Sequence, residues 1–322
     1  NNLAGVQTGY ISASDIAVSP GATTVYSLIS VKDANGCESG GKSGTPTVTV
    51  QPLPIVYSVT GGGSYCSDVP VAQGLGVSNS ETGINYILVR DGSTDVETVG
   101  GTTGNPVNFT ATTTPGVYTV RAQRSAAPAC PVMMSGSVSI TSDPLPSAIL
   151  AFSLSSATLC DQETVIGTVT GSESGVNYQM FDQLDNVLSA VVAGDGGDIA
   201  IPSTAIGTGV TSIKVIATNG STGCNVELTD TELITVNANP TASVLSITGS
   251  TEICAGDATT LAVSITGGVS PYELNINNLA GVQTGYISAS DIAVSPGATT
   301  VYSLISVKDA NGCESGGKSG TP

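Results

Sequence analysis

The sequence has no histidine, no tryptophan and only three phenylalanines, and it sets eight lysines and arginines against 25 aspartates and glutamates over 322 residues. Without histidine, every mechanism that moves a proton through an imidazole is excluded, catalytic triads and histidine-activated thiols among them. Zinc is left without a CxxC pair or a histidine cluster to hold it. A net charge of −17 leaves no positive stripe for a phosphate array, so neither nucleic acid nor an anionic membrane surface is expected as a partner. No apolar run approaches the roughly 18 residues of a membrane helix, so no membrane insertion is expected. The glycine-flanked serine elbow of acyl hydrolases is missing too: its nearest match, GSESG at 171–175, has Glu173 at its centre. Carboxylates alone can hydrolyse glycosides, but no large pocket-forming domain accompanies them. The chain is read as a non-enzyme with no cofactor.

One stretch imitates a nucleotide site. GCESGGKS at 36–43, repeated at 312–319, has the glycine, lysine and serine spacing of a phosphate loop. Such a loop works only between a buried parallel strand and a helix whose N-terminus faces the phosphate. Here the following residues are GTPTVTVQPLP, β-branched and broken by Pro46, Pro52 and Pro54, which favours an extended strand. VYSLISVKDANG before it also reads as a strand, so the glycine-rich stretch is expected to be a hairpin loop.

The duplication is larger than that motif. Residues 1–46 are identical to 277–322, which makes the chain one period of 276 residues with a 46-residue overlap. Tandem copies within a longer polypeptide are the expectation, in which case the ends of this chain need not be natural termini.

The seven cysteines obey a shorter phase. Cys66, Cys160 and Cys254 are 94 residues apart, as are Cys130 and Cys224, and Cys37 is the copy of Cys313. Six cysteines per period, alternating between two roles, imply three modules. Proline joints at QPLP 51–54, DPLP 143–146 and NANP 237–240 keep the same phase and favour short, semi-rigid linkers. The modules are then 55–146, 147–240 and 241–322, the last lacking its final strand, with 1–54 the second half of a preceding copy of the third. Within each module come an alternating run such as TTLAVSITG, a tyrosine strand (Tyr86, Tyr178 or Tyr272), a late strand such as GVTSIKVIATNG, the second cysteine and a closing strand. About seven short strands per module fit an all-β fold of tandem immunoglobulin-like or fibronectin-type sandwiches, three per 276-residue repeat, with the tyrosines in the core.

The pair EICAGDATTLAVSITGG and VYSLISVKDANGC resembles the PKD-like and SprB-type repeats of giant surface adhesins of gliding Bacteroidota. The likeness is best in the third module. It implies export by type IX secretion and an extracellular, cell-surface fibre.

Paired cysteines suit such an oxidising setting. Two connectivities are open, beside free or intermolecular thiols. The simple one joins cysteines within a module: Cys66–Cys130, Cys160–Cys224 and Cys254–Cys313. In a seven-strand sandwich, however, the first cysteine precedes strand B and the second follows strand F, and these strands run the same way. A strand of eight residues would hold the two sulfurs roughly 25 Å apart. Pairing across modules, Cys66–Cys224 and Cys160–Cys313, avoids this.

Other sites are set aside. Asp195 and Asp198 in GDGGD, and Asp143 at a joint, are calcium candidates without an EF-hand pattern, better read as solvated turns. Lys214 is the lysine inside an apolar run that an isopeptide crosslink would need, and NFT 108–110 and NGS 219–221 match glycosylation sequons. The expected function is the repeating shaft of a secreted fibre or adhesin that spans distance and bears load in attachment, gliding or contact with other cells. The alternative is a set of modules that themselves bind carbohydrate or another cell's surface. Identical chains lying side by side in a bundle are the expected partners, with other cell surfaces reached through a tip outside this chain.

Overall fold

In the computed structural model, which describes residues 6–322, every regular element is a β-strand. The reason is visible in the strands themselves. Along Ser212–Asn219, Ile213, Val215 and Ala217 are fully buried while Lys214, Ile216 and Thr218 face outward, the two-residue period of a half-buried strand. The chain is an all-β protein built of immunoglobulin-like and fibronectin-type sandwiches, and it divides into two compact units, Asn1–Asp143 and Pro144–Pro322.

In the first unit, Val59–Gly61, Gln73–Val77 and Val107–Thr112 form one sheet. The facing sheet runs in the order Gly63–Cys66, Val138–Asp143, Gly116–Arg124, Ile84–Arg90, Thr94–Gly100. Leu75, Val77, Phe109, Tyr86, Val120 and Ile140 close between the two sheets. Gly63–Cys66 and Val138–Asp143, the first and last strands of this sheet in chain order, pair in parallel, which puts Cys66 opposite Asp143.

The second unit has two separate cores. One lies among residues 150–236 and is centred on Phe152, Tyr178, Met180, Ile201 and Val215. Here too the first cysteine strand, Thr158–Cys160, pairs in parallel with the closing strand, Thr235–Asn237. The other core lies among residues 245–307 and includes Leu245, Val263, Leu274, Tyr286 and Val307. Tyr86, Tyr178 and Tyr272 are all buried, one in each core. Burial raises the Tyr86 and Tyr178 phenols above the usual tyrosine range, although each oxygen accepts a backbone N–H, from Glu81 and Glu173 respectively.

The hairpin expected at the glycine-rich stretch is seen at 36–43, where Thr24–Val25 pairs antiparallel with Thr47–Val48, but needs correction at 312–319. Lys308 and Glu314 bridge antiparallel, as a hairpin requires. The chain then leaves that sheet at Gly316 and Gly317, and Lys318–Ser319 pairs in parallel with Pro240–Ile247 in the opposite sheet. Ser243 and Ser315, buried and hydroxyl to hydroxyl at 3.1 Å, mark the crossing. A side chain at Gly317 would meet the Thr241 carbonyl at 3.1 Å, so glycine here lets two backbones pass closely.

Candidate functional site

The residues with the most distinctive chemistry are the cysteines at the ends of the sandwiches. Each first cysteine opens a turn in which the amide three residues on donates to its carbonyl: Val69 to Cys66, Glu163 to Cys160 and Asp257 to Cys254. At Cys160 the turn is further fixed, because the Glu163 carboxylate accepts the Cys160 N–H at 2.8 Å. The Asp161 N–H donates to the Asn237 carbonyl and the Asn239 side chain donates back to the Asp161 carbonyl, so the proline joint 237–240 is tied to the cysteine turn.

Each second cysteine lies in the loop that follows the long late strand. Asp309 builds the loop of Cys313: one carboxylate oxygen accepts the N–H groups of Asn311 and Cys313 at 2.9 Å each, and the other accepts that of Val269. The Asp309 N–H in turn donates to the Cys313 carbonyl. This aspartate turn is why DANGC folds locally: a short side chain replaces the backbone partner that a tight loop lacks. The ring of Pro240 lies against the same loop. Gly268, with φ +67°, has no room for a side chain there, since a Cβ would stand 2.7 Å from Pro240 and 3.1 Å from the Asp309 Cβ.

Between these two pieces the Cys160 and Cys313 sulfurs are bonded at 2.07 Å, with a Cα–Cα distance of 5.4 Å. The bond joins consecutive sandwiches of the second unit and closes 153 positions of chain. In the chain-entropy picture a loop of that size is worth about 5 kcal/mol. Cys66 and Cys224 are each disulfide-bonded as well. Cys37, Cys130 and Cys254 are free thiols, Cys130 half-buried and the others exposed. The within-module connectivity is thereby corrected: Cys160–Cys224 and Cys254–Cys313 do not form, because Cys160 and Cys313 hold each other, and Cys66–Cys130 does not form, because Cys130 is free. The physical reason lies in the folded sandwich, where the first cysteine ends the strand that meets the outgoing joint while the second closes a loop at the other end.

The other residues singled out in the sequence have local roles. Asp195 accepts the Gly197 N–H and Asp198 accepts the Gly171 N–H, so both carboxylates brace turns. Asp143 sits at the end of its strand, where its carbonyl receives the Ser67 N–H. Among the described residues, no three acidic, histidine or cysteine side chains converge as a metal site would need. Lys214 points outward and pairs with Asp185 at 2.7 Å and Glu227 at 2.9 Å; these two carboxylates hold its ammonium well above the usual lysine range. Asn219 spends its side-chain oxygen on the amides of Ser221 and Thr222, shaping the Cys224 loop.

Two braces were not anticipated from sequence. Glu81 accepts the Ile55 N–H at 2.7 Å and Glu173 accepts the Ser147 N–H at 2.8 Å. In both places the glutamate holds the first amide after a PLP joint, and its own N–H caps the core tyrosine. The signal was present as a glutamate five residues ahead of Tyr86 and Tyr178, but only the fold shows what it reaches.

No family model matches the chain, and no curated protein matches it in sequence. Among solved structures, it is similar to the ICAM-5 D1–D4 ectodomain, at 13% identity over 83% of this chain and 72% of that one with a TM-score of 0.36. It is similar to FdeC, an Escherichia coli adhesin, at 14% identity over 84% of this chain and 98% of that one with a TM-score of 0.32. It is also similar to a 1.5-MDa bacterial ice-binding adhesin, at 14% identity over 82% of this chain and 97% of that one with a TM-score of 0.29. Among the described residues, no helix is long and apolar enough to cross a membrane.

Proposed function

We propose that this chain is a repeating segment of the shaft of an extracellular, cell-surface fibre or adhesin, whose task is to span distance and carry load. The observation that supports it best is the Cys160–Cys313 bond, because a covalent link between consecutive sandwiches resists pulling where a bare linker would only extend. The reading pairs Cys66 with Cys224 in the same manner. Glu81 and Glu173 add directional hydrogen bonds at the proline joints, which limit bending. The identity of 1–46 with 277–322 supports a fibre of tandem copies, and the resemblance of the third module supports surface export by type IX secretion.

In this reading identical chains lie side by side. A repeat of fixed length places the same surface patch at each level of every chain, so equivalent contacts close into a symmetric bundle. At roughly 35–45 Å per sandwich with its linker, one period advances on the order of 120 Å. Electron microscopy with mass-per-length measurement is the test. Fibres with a related axial repeat and more than one chain per period support the reading; one chain per period leaves a single-stranded shaft, and compact particles overturn the fibre.

A further inference from the structure

We infer that Cys254 is the upper half of a third clamp, whose lower half is Cys130 of the next copy of the repeat, so that the joint between copies is bonded like the joint inside the second unit. The inference rests on the tandem reading above and adds a specific bond to it. Four observations carry it.

The first is a comparison of identical loops. Cys37 and Cys313 belong to the same 46-residue sequence, and both loops are built the same way: Asp33 accepts the Asn35 and Cys37 amides at 2.9 and 2.8 Å, as Asp309 accepts those of Asn311 and Cys313. One thiol is free and exposed, and the other is bonded and buried. A free thiol in this chain therefore marks a preformed half-clamp whose partner lies in another copy.

The second is that Cys254 is presented as Cys66 and Cys160 are, at the start of a turn closed by the amide three residues on. Cys130 lies in the loop after the late strand, as Cys224 and Cys313 do, and in each an amide at the strand's end donates across the loop: Asn219 to Cys224, Asp309 to Cys313, and Arg124 to Ala129, the residue before Cys130.

The third is spacing. With a period of 276, the next copy's Cys130 lies 152 positions beyond Cys254, against 153 for the bond formed by Cys160 and Cys313.

The fourth is an open groove beside Cys254. It encloses about 450 Å³ and is lined by Ile247, Cys254, Leu261, Pro296, Thr300 and Tyr302. Its occupant is the closing strand of this sandwich, the segment of the next copy that repeats Thr47–Val50. In the first copy that segment lies antiparallel to Thr24–Val25, the same residues as Thr300–Val301. The approach is already in place at both ends, since Tyr26 donates to the Pro46 carbonyl and Tyr302 to the Pro322 carbonyl, at 2.9 Å each. Once seated, the strand carries the chain past Cys254 into the joint, as Val138–Asp143 passes Cys66 and Thr235–Asn237 passes Cys160.

The bond forms by thiol–disulfide exchange with a small-molecule or enzyme disulfide. The Cys254 thiolate attacks one sulfur of that oxidant and releases its other sulfur as a thiol. The Cys130 thiolate then attacks the Cys254 sulfur, completing the bond and releasing the second thiol, so the two protons and two electrons lost by the cysteines appear on the oxidant.

The test is a chain extended after Pro322 by a second set of residues 47–322, oxidised in a glutathione buffer, denatured, alkylated and mapped by mass spectrometry. The expected result is a peptide pair joining the first copy's Cys254 to the second copy's Cys130, and three free thiols, the number found in the single chain. Five free thiols, or either cysteine bonded elsewhere, overturns the inference. Cys254→Ser in the first copy is expected to free the second copy's Cys130 and nothing else; retention of its bond also overturns it. The outcome is independent of fibre geometry, so failure here is distinguishable from failure of the shaft reading.

Discussion

Residues 6–46 and 282–322 share one sequence and fold differently. In the second copy, Gln283–Tyr286, Asp291–Val294 and Leu304–Lys308 are strands, paired with strands from 241–276. In the first copy those residues form none of these strands, and pairing is limited to Thr24–Val25 with Thr47–Val48 and the small cysteine loop. Val307 is 0% exposed and its copy Val31 is 44%; Tyr286 is 7% exposed and its copy Tyr10 is 52%. What survives in both is local: the aspartate turn, the Lys–Glu pair and the tyrosine-to-proline bond. Without strands like those of 241–276 beside them, these residues keep their loops and form none of those strands, because a strand's energy lies in the neighbour and the opposing sheet rather than in its own propensity.

The largest expected effect comes from giving the first copy the strands that the second copy pairs with. Adding residues 241–276 ahead of residue 1 is expected to fold 1–46 onto it and to bury Val31 and Tyr10 as Val307 and Tyr286 are buried. Hydrogen exchange reads this directly. Amides around Val31 are expected to slow by about 1,000-fold or more, in line with the range between open segments and core strands. Unchanged exchange would mean that the two copies differ for some reason other than the absent strands.

The next effect separates the two copies of one cysteine. Cys313→Ser removes the bond to Cys160 and is expected to cost about 3–5 kcal/mol in denaturant unfolding of the second unit. Cys37→Ser is expected to leave stability unchanged. Equal effects at the two positions would break the comparison.

A third effect does the same for a core side chain. Val307→Ala is expected to cost about 1.5–3 kcal/mol, the value of a buried valine, and Val31→Ala close to nothing. Both are read from the denaturation midpoint.

How much of this was legible in the sequence depends on the range of the interaction. Alternation along GVTSIKVIATNG gives the inward face of that strand, and the 94-residue cysteine phase gives the repeat of the sandwich, since both are local or periodic. DANGC shows a turn but not that its aspartate braces Val269 from 40 positions away. The departure of Gly316–Gly317 into the opposite sheet was missed because nothing in ESGGKS distinguishes a hairpin return from a crossing. Ser243 and Ser315 decide it, and they meet only after folding. The identical copies show the limit most directly, since no rule reading 1–46 alone can return two structures.

Alkaline pH gives a smaller effect, tied to the buried copy. Burial raises the Tyr286 phenol above its usual value near 10, against the opposing hydrogen bond from the Val263 amide. Below pH 10 the phenol is neutral in both states and its burial stabilises fully. As pH rises the unfolded chain ionises first, so stability falls through the range between the usual tyrosine value and the higher folded one. Absorbance near 295 nm is expected to show Tyr286 ionising late, together with unfolding, and Tyr286→Phe to flatten the alkaline slope. A slope unchanged by that substitution would assign the effect to Tyr86 and Tyr178.

The smallest effect is the one in which the two copies are expected to agree. Glu314 pairs with Lys318 at 2.7 Å, and Glu38 pairs with Lys42 at 3.0 Å, four residues apart on the same loop in each case. The Lys318 ammonium lowers the Glu314 pKa, first through the hydrogen bond and then through its charge. A depressed carboxylate stabilises the fold above its unfolded pKa and loses that contribution as pH falls through the folded value. Both partners are largely solvated, with Glu314 49% exposed, so the contribution after screening is about 0.2–1 kcal/mol and shrinks in salt. Lys318→Ala and Lys42→Ala are therefore expected to have equally small effects on stability, read from the denaturation midpoint, with the Glu314 carboxyl resonance moving towards the free value in Lys318→Ala. If Lys318→Ala proved much the more costly, the lysine would have to act beyond its loop, through the parallel pairing of Lys318–Ser319 with Ser243 and Val244 that the first copy lacks.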